Sequence, residues 1–514
     1  MSKPILKWLG GVLMSAGGYG STPPPGPANL PYESAGYGRR SKNWNAPGTG
    51  PNMTLYGALI TLRNRSKAGY RNNPWIRRGI ESLVSNEVGV GIVPRSRAED
   101  EAFRAAANAL WAKSVDELDA DGILNFYGQQ ALSSRTRNMA GEAFLRRRRR
   151  RSDFGTHVPL QVQLLEPDFV PHTLNEVLRN GNRVRQGIEL DKRGQRVAYW
   201  MYKSHPNDGM WATDFSQLIR VPASDVIHHY IPLRPGQLRG EPVTAQALLK
   251  AHTFDSYDDA ELVRKQSRAP YTGFIKKSYT GEEDWQYDPL TGERYSTDSE
   301  GVANISVEAG TMLSGLPGEE PVLFDGDDTG AGYADFMRQQ ILGMATGIGV
   351  PYEILSGDWS KVNDRLMRAI LQEFRRHIEA AQDHLMIFQV CQGVWRWWMD
   401  AAVMSGALAA PDYQSRRSEY QAHEWRPHGW PYLNPLQDVQ AKKEAIAANL
   451  TSTEAEVAKT GYDVEDIVKQ NIKTESDMVQ KRREAGLADY PADGKSAPRA
   501  SASGQSDPPN NQPA

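Results

Sequence analysis

The chain has 514 residues, 39% hydrophobic and 24% charged, with a formal net charge of −2. That length exceeds one compact domain, and the near-neutral balance argues against a protein that binds nucleic acid over its whole surface. The single cysteine, Cys391, excludes an intrachain disulfide and a cysteine-cluster metal site; it fits a reducing compartment, most simply cytoplasm.

No run of eighteen apolar residues is present, so no transmembrane helix is expected. The opening MSKPILKWLGGVLMSAGG is a poor signal peptide, because Lys7 interrupts its apolar region and no small-residue cleavage site follows. Residues 1–51, rich in Gly, Pro, Ser, Tyr and Asn, read as a flexible N-terminal arm. Thirteen Trp and 21 Tyr point to large packed interfaces.

Asn73-Pro74 opens a helix carrying Ile76, Ile80, Leu83 and Val84, and helical patterns follow at 101–111 and 126–139. The period then changes to two. Residues 141–151 and 158–170 predict a β-hairpin turning at Ser152–Gly155. QGIEL and RVAYWMYK predict a second hairpin across Asp191–Gly194, and residues 224–230 a further strand. The six arginines from Arg146 to Arg151 fall in the first hairpin. Alternation lets at most three of them, Arg146, Arg148 and Arg150, line one surface. They are either phosphate contacts or a charged strand paired with acidic neighbours.

Residues 241–269 predict a long helix that Pro270 stops. Its charges are Asp255, Asp258, Asp259, Glu261, Arg264, Lys265 and Arg268. Residues 271–331 are Gly-rich and strand-prone, and a helix resumes near 333. A Gly347–Pro351 break and a polar loop, Ser356-Gly357-Asp358-Trp359-Ser360, come next. From Lys361 to Ala402 there is no proline and one glycine, Gly393. Met367, Ile370, Phe374, Ile378, Ala381, Leu385, Phe388, Cys391, Trp395 and Met399 form a single apolar stripe at spacings of three and four. Such a helix would extend about 60 Å, far beyond the usual length of about twelve residues, and suits a strut in an assembly. Residues 436–485 predict a helix–turn–helix near Leu450–Ser452, and 486–514 a disordered tail.

No catalytic constellation emerges. His423-Glu424-Trp425-Arg426-Pro427-His428 approaches a zinc-protease helix, but Pro427 stands where the second histidine belongs. Asp325–Asp328 starts like a calcium loop, yet Phe336 occupies the closing glutamate position. Gly347 and Gly349 lack a third glycine, and neither a phosphate-cradling G-x-x-x-x-G-K-[ST] nor a G-x-S-x-G elbow occurs. Cys391 on an apolar helix reads as a buried small hydrophobe. His228 and His229 in a strand point to opposite faces. No metal and no cofactor are expected.

Several segments together resemble the lambda-like family of tailed-bacteriophage portal, or head–tail connector, proteins. They are Arg71-Asn72-Asn73-Pro74, LQVQLLEPD, GIELDKRGQRVAYWMYK, VPASDVIHHYIPLRPGQLRGEP, Pro270-Tyr271, ATGIGVPYEILSGDWS and the long helix, in that order over about residues 50–485. The resemblance implies an α+β, non-enzymatic subunit with wing, stem, clip and crown parts. It implies a ring, as a dodecamer, at one capsid vertex of the virion, assembled in host cytoplasm and with no membrane contact. Double-stranded DNA would pass through the ring, and terminase, head–tail connector, capsid and scaffold proteins would dock on it. Under it, residues 52–240 are wing, 241–269 stem helix 1, 270–332 clip, 333–355 stem helix 2 and 356–362 the tunnel loop. Residues 363–435 are the long helix with its return to the wing, and 436–485 the crown.

Within that frame Ser356, Gly357, Asp358, Trp359, Ser360 and Lys361 are the tunnel-loop residues facing DNA. Trp359 and Lys361 are its contacts, or else Trp359 packs under the loop and Lys361 caps the next helix. The acidic stem residues either repel the DNA backbone or pair with Arg264, Lys265 and Arg268 between subunits. Two other readings stand beside this one: another phage structural protein (a head–tail adaptor or minor capsid protein), or a metal-dependent hydrolase built on His423, Glu424 and His428.

Overall fold

The computed structural model describes residues 46–208, 217–268, 271–275, 311–314, 332–430 and 435–486. Most of the expected arm, most of the expected clip and nearly all of the tail lie outside those residues. Helices and sheets are mixed, and the chain divides into two compact units, one ending at Trp425 and the other starting at Arg426.

The first unit opens with helices α1 (Pro51–Tyr56), α2 (Leu59–Asn72) and α3 (Pro74–Glu87), followed by strand β1 (Val93–Ser96). Asn73 sets the α2–α3 corner: its side chain accepts from Ile76 N while Pro74 takes the first helical position. Helix α4 (Glu101–Ser114) is capped by Asp100, and α5 (Phe126–Ala140) by Asn125. Strands β2 (Glu142–Arg149) and β3 (Leu160–Leu165) form the expected hairpin. With β9 (Val226–Tyr230) they make an antiparallel sheet in the order β3-β2-β9. The second sheet is an antiparallel run of β4 (Glu176–Val177), β5 (Arg183–Arg185), β6 (Ile188–Leu190), β7 (Arg196–Tyr202) and β8 (Leu218–Pro222). It contains the second expected hairpin.

Helix α6 (Leu248–Arg268) starts after a 3-10 turn, Val243–Gln246. Strands β10 (Tyr271–Ile275) and β11 (Thr311–Ser314) pair in parallel. Then come α7 (Tyr333–Ile348), α8 (Tyr352–Ser356) and α9 (Asp364–Ala381). The last continues through a π-helical segment, Gln382–Cys391, into α10 (Gln392–Met404). After α11 (Arg417–Tyr420), strand β12 (His423–Arg426) pairs with β1.

The three-stranded sheet separates two cores. Leu145, Val162 and Ile227 face Met386, Val390, Val394 and Trp398 of the long helix, together with Trp111 and Phe126. Phe144, Leu165 and Val226 face Ile188, Tyr199 and Met201 on the other side. Trp111 lies 5.3 Å from Trp395 and 5.1 Å from Trp398, ring to ring. Five tryptophans (Trp111, Trp395, Trp397, Trp398 and Trp425) are buried within this chain. These rings fill a core instead of offering the interface area expected of them.

The second unit holds α12 (Pro435–Ala447), α13 (Thr453–Ala458) and α14 (Val464–Glu484). Ser452 caps α13 and Asp463 caps α14, and Asp463 also pairs with Arg426 at 2.8 Å. None of the three helices buries a residue.

Candidate functional site

Helices α6 and α7 pack antiparallel, Ala247 beside Gly347 and Lys250 beside Gly343. Near the far end Tyr257 meets Tyr333 and Phe336, with ring centroids 6.5 and 5.1 Å apart. Tyr333 Oη donates to Asp258 at 2.6 Å, and that bond pushes the phenol up to about 12. The Lys265 ammonium lies 4.8 Å from the Tyr333 ring. Asp255 accepts both bonds from Asn73 Nδ2, at 2.9 and 2.8 Å. Arg264 pairs with Glu261 on its own helix. The charges expected to face DNA or a neighbouring subunit are therefore largely engaged inside the chain. Asp259 is exposed, and the Arg268 side chain lies outside the described residues. The same pair of helices leaves apolar side chains in solvent: on α6 Leu249 is 75% exposed and Leu262 56%, and on α7 Leu342 is 42% exposed.

Two left-handed glycines turn the chain beyond α7. Gly349 (φ +87) ends α7 and Gly357 (φ +74) ends α8, a conformation that side-chain-bearing residues adopt at a cost. The expected second stem helix, 333–355, is thus two helices. Beyond Gly357 the Asp358 carboxylate accepts from Ser360 N (3.0 Å) and Ser360 Oγ (2.6 Å). These bonds, helped by the positive charge of Arg338, hold it below the usual carboxylate range. Arg338 itself lies over the Tyr352 ring at 4.9 Å. Trp359 is 41% exposed, so it is not packed under the loop. Lys361 is exposed too, and it does not cap the next helix: Asn363 does, accepting from Leu366 N at 2.8 Å.

The long helix is continuous from Asp364 to Met404, but its stripe differs from the one expected. Phe374, Ile378, Gln382, Met386, Val390, Val394, Trp398 and Ala402 are buried, every fourth residue, while Phe388 is 68% exposed and Leu385 only half-buried. The π-helical segment is the reason. Its wider turn, with Gln392 N reaching back to Ile387 O, advances the buried face where an α-helix would have rotated it away. Two glutamines exploit that register. Gln389 gives its amide to Tyr230 O and its carbonyl to Tyr230 N, both at 3.1 Å, which satisfies the edge of β9. Gln382 Nε2 donates to Glu87 O at 2.9 Å.

The arginine strand splits by parity. Arg147 and Arg149 meet Asp225 at 3.8 and 3.2 Å, whereas Arg148 and Arg150 donate to Gln163 and Gln161. Arg146 shares their face.

The two histidines do point to opposite faces. His229 Nδ1 lies 2.8 Å from Ser133 Oγ, and Arg137, which holds Glu87, lies 2.9 Å from its Nε2. His228 is stacked between Phe144 and Tyr230 and bonds Glu142 at 2.8 Å. Glu142 also takes Arg239 (2.6 Å) and Arg63 (2.9 Å), and every side chain of this group is at most 2% exposed. Burial alone would raise the Glu142 carboxyl, but Arg239, His228 and Arg63 outweigh it and hold it well below the usual range. Burial drives His228 down to about 4. Sequence reading missed this network. Its signal was Glu142, an acid at the head of the apolar run Ala143-Phe144-Leu145, where a charge at a buried position requires a buried partner.

Metal chemistry finds little support. Glu166, Asp168 and His205 lie close enough together to share an ion, but the Lys67 ammonium already pairs with Glu166 and, at 2.7 Å, with Asp168. His423 sits on a strand, not a helix, with Nδ1 2.6 Å from Gln421 O, and Glu424 pairs with Arg97. Cys391 is fully buried, which pushes its thiol well up. Among the described residues no helix is long and apolar enough to cross a membrane.

The profile of the family described as "Phage portal protein, lambda family" matches residues 37–382, more than half of the chain. The chain belongs to that family. This portal chain is 27% identical over 426 residues to the "Probable portal protein" of Halomonas phage phiHAP-1, covering 81% of this chain and 80% of the relative. It is 22% identical over 494 residues to "Portal protein B" of Escherichia phage lambda, covering 88% and 90%. Among solved structures, a chain from the neck of a native gene transfer agent particle, computed with C12 symmetry, aligns at 12% identity with a TM-score of 0.42. That alignment covers 81% of this portal chain and 95% of the other, an overlap too loose to argue from. Its function is that of a portal protein, a structural component of the virion where head meets tail.

Proposed function

We propose that this portal chain assembles into a closed ring, as a dodecamer, at one capsid vertex, and that DNA is packaged and ejected through its axis. The observation that carries the ring is the exposed apolar surface of α6 and α7. Leu249 and Leu262 of α6 and Leu342 of α7 stand in solvent on helices whose charges are largely engaged within the chain. A monomer gains nothing from such exposure, and a lateral neighbour would cover it. In this reading residues 52–240 form the wing, 241–269 and 333–355 the stem, 270–332 the clip and 436–485 the crown, and the chain assembles in host cytoplasm. The clip meets terminase and then connector proteins, while the wing meets capsid and scaffold. The tunnel loop, 356–362, presents Trp359 and Lys361 to DNA.

The subunit is mechanical and not enzymatic. A conduit must not hold its DNA, since neutralising many phosphates would create wells that resist sliding. A near-neutral chain meets that need. Electron microscopy of the purified protein, with mass measurement, tests the reading. Rings with an axial hole wide enough for duplex DNA are expected, and a stable monomer or a solid dimer would overturn it.

A further inference from the structure

Six arginines run from 146 to 151, and their surroundings divide them. Arg147 and Arg149 meet Asp225, and Arg151 meets Asp153 at 3.5 Å. Arg146, Arg148 and Arg150 lie on the other side. Among the described residues none of these three has a carboxylate within ion-pair distance. What holds them is neutral: Arg148 Nε donates to Gln163 Oε1 at 2.9 Å and Arg150 Nε to Gln161 Oε1 at 2.7 Å. Gln161 is itself fixed, its Nε2 donating to the carbonyls of Glu117 (3.2 Å) and Asp119 (3.0 Å). Two guanidinium groups are therefore pre-positioned through Nε. Their terminal nitrogens, the pair that grips an oxyanion in two-pronged fashion, have no acceptor among the described residues. Burial lowers Arg146 and Arg148, and the like charge of the next arginine lowers each further, outweighing the opposing pull of Asp225 on one and of Asp121 on the other. At the end of the column the half-exposed Phe154 ring lies 4.8 Å from the Arg150 guanidinium.

We propose that this column binds an extended, acid-rich peptide segment of a partner protein, with carboxylates on alternate residues and an apolar side chain against Phe154. Alternate positions on a strand recur every ~6.8 Å, on the arginine side and on an extended peptide alike. The three arginines are partly buried along the strand, a setting that suits a thin single chain laid against it. An exposed aromatic ring adds nothing to a phosphate contact and supplies an anchor to a peptide.

The test uses the full-length protein and a fluorescein-labelled peptide of alternating Glu and Thr ending in Phe, read by anisotropy at low ionic strength. Arg148→Gln with Arg150→Gln removes the two glutamine-held guanidinium groups of the column, and Arg149→Gln with Arg151→Gln makes the same charge change on residues outside it. The first pair is expected to weaken binding by at least about tenfold and the second by less than about twofold. Arg148→Lys with Arg150→Lys, which keeps charge but loses the fork, falls between them. All three variants should melt with the wild type, since the altered side chains are partly exposed. The proposal is overturned if the wild type does not bind the peptide, or if both Gln pairs lose affinity equally. It is also overturned if a short DNA duplex binds more tightly through the same arginines and displaces the peptide.

Discussion

Replacing Glu142 by Gln tests whether the buried ion cluster fixes the chain where β2, β9 and the segment leading to α6 meet. Glu142 accepts from Arg239 Nε (2.8 and 3.0 Å), Arg63 Nη2 (2.9 Å), His228 Nε2 (2.8 Å) and Gly240 N (3.1 Å). At neutral pH His228 is uncharged, so Arg63 and Arg239 balance Glu142 and Asp168, the latter 3.6 Å from Arg63. The substitution removes one negative charge and leaves two guanidinium groups, both at most 2% exposed, with one partner carboxylate. Breaking a buried pair in this way costs about 3–5 kcal/mol. In a unit of this size that corresponds to a melting temperature lower by roughly 4–7 °C. Wild type and variant are compared by circular dichroism at one protein concentration, because assembly makes melting concentration-dependent. Adding Arg239→Met to the same chain should recover part of the loss, since the orphaned charge is then gone. A drop below about 1 kcal/mol in the single variant would refute the reasoning, because the guanidinium groups would then be solvated and not buried.

The same geometry sets three further outcomes. Met386→Ala and Val390→Ala should each lower stability by about 2–4 kcal/mol, while Phe388→Ser stays within about 0.5 kcal/mol. Denaturant titration reads this, and a reversed order would restore an unbroken α-helical register. His228 and His229 have folded pKa values below the ordinary 6.5, so below that pH the unfolded chain binds protons that the folded one refuses. Stability should therefore fall as pH drops from about 6.5 towards 4, and the loss should lessen in His228→Phe; a flat profile over that window contradicts it. Trp359→Ala with Lys361→Ala should leave rings intact by microscopy yet reduce packaged DNA, and unchanged packaging would remove these residues from DNA contact.

Local signals made the hairpins and helix starts legible. Strand alternation also placed His228 and His229 on opposite faces, and the structure keeps them there. The stripe of the long helix was less legible. Counting apolar residues at spacings of three and four admits Phe388 and Leu385 and passes over Gln382, because a polar side chain carries no hydrophobic signal. Yet Gln382 is buried, its amide bonded to the Asn86 and Glu87 carbonyls. A buried glutamine is stable only where backbone groups await it, and that depends on the tertiary neighbour, not on the helix's own sequence. The tryptophans misled for a related reason. An aromatic ring covers apolar surface equally well inside a subunit or between subunits, and composition does not separate the two.

The same polar contacts explain why a helix of this length tolerates a π-helical segment. An unbroken α-helix rotates its buried face by about 40° with each step of four residues. After two such steps a face that starts at Phe374 and Ile378 would turn away from the three-stranded sheet. The wider turn between Gln382 and Cys391 holds Met386 and Val390 on the core, and through Gln389 it fastens the helix to the edge of β9. The fastening falls in the middle of the helix. Residues C-terminal to it are packed by Val394, Trp395 and Trp398, whereas α9 buries only Phe374 and Ile378 and leads back to the Gly357–Lys361 loop. The firm half thus belongs to the three-stranded sheet and the loosely packed half carries the loop.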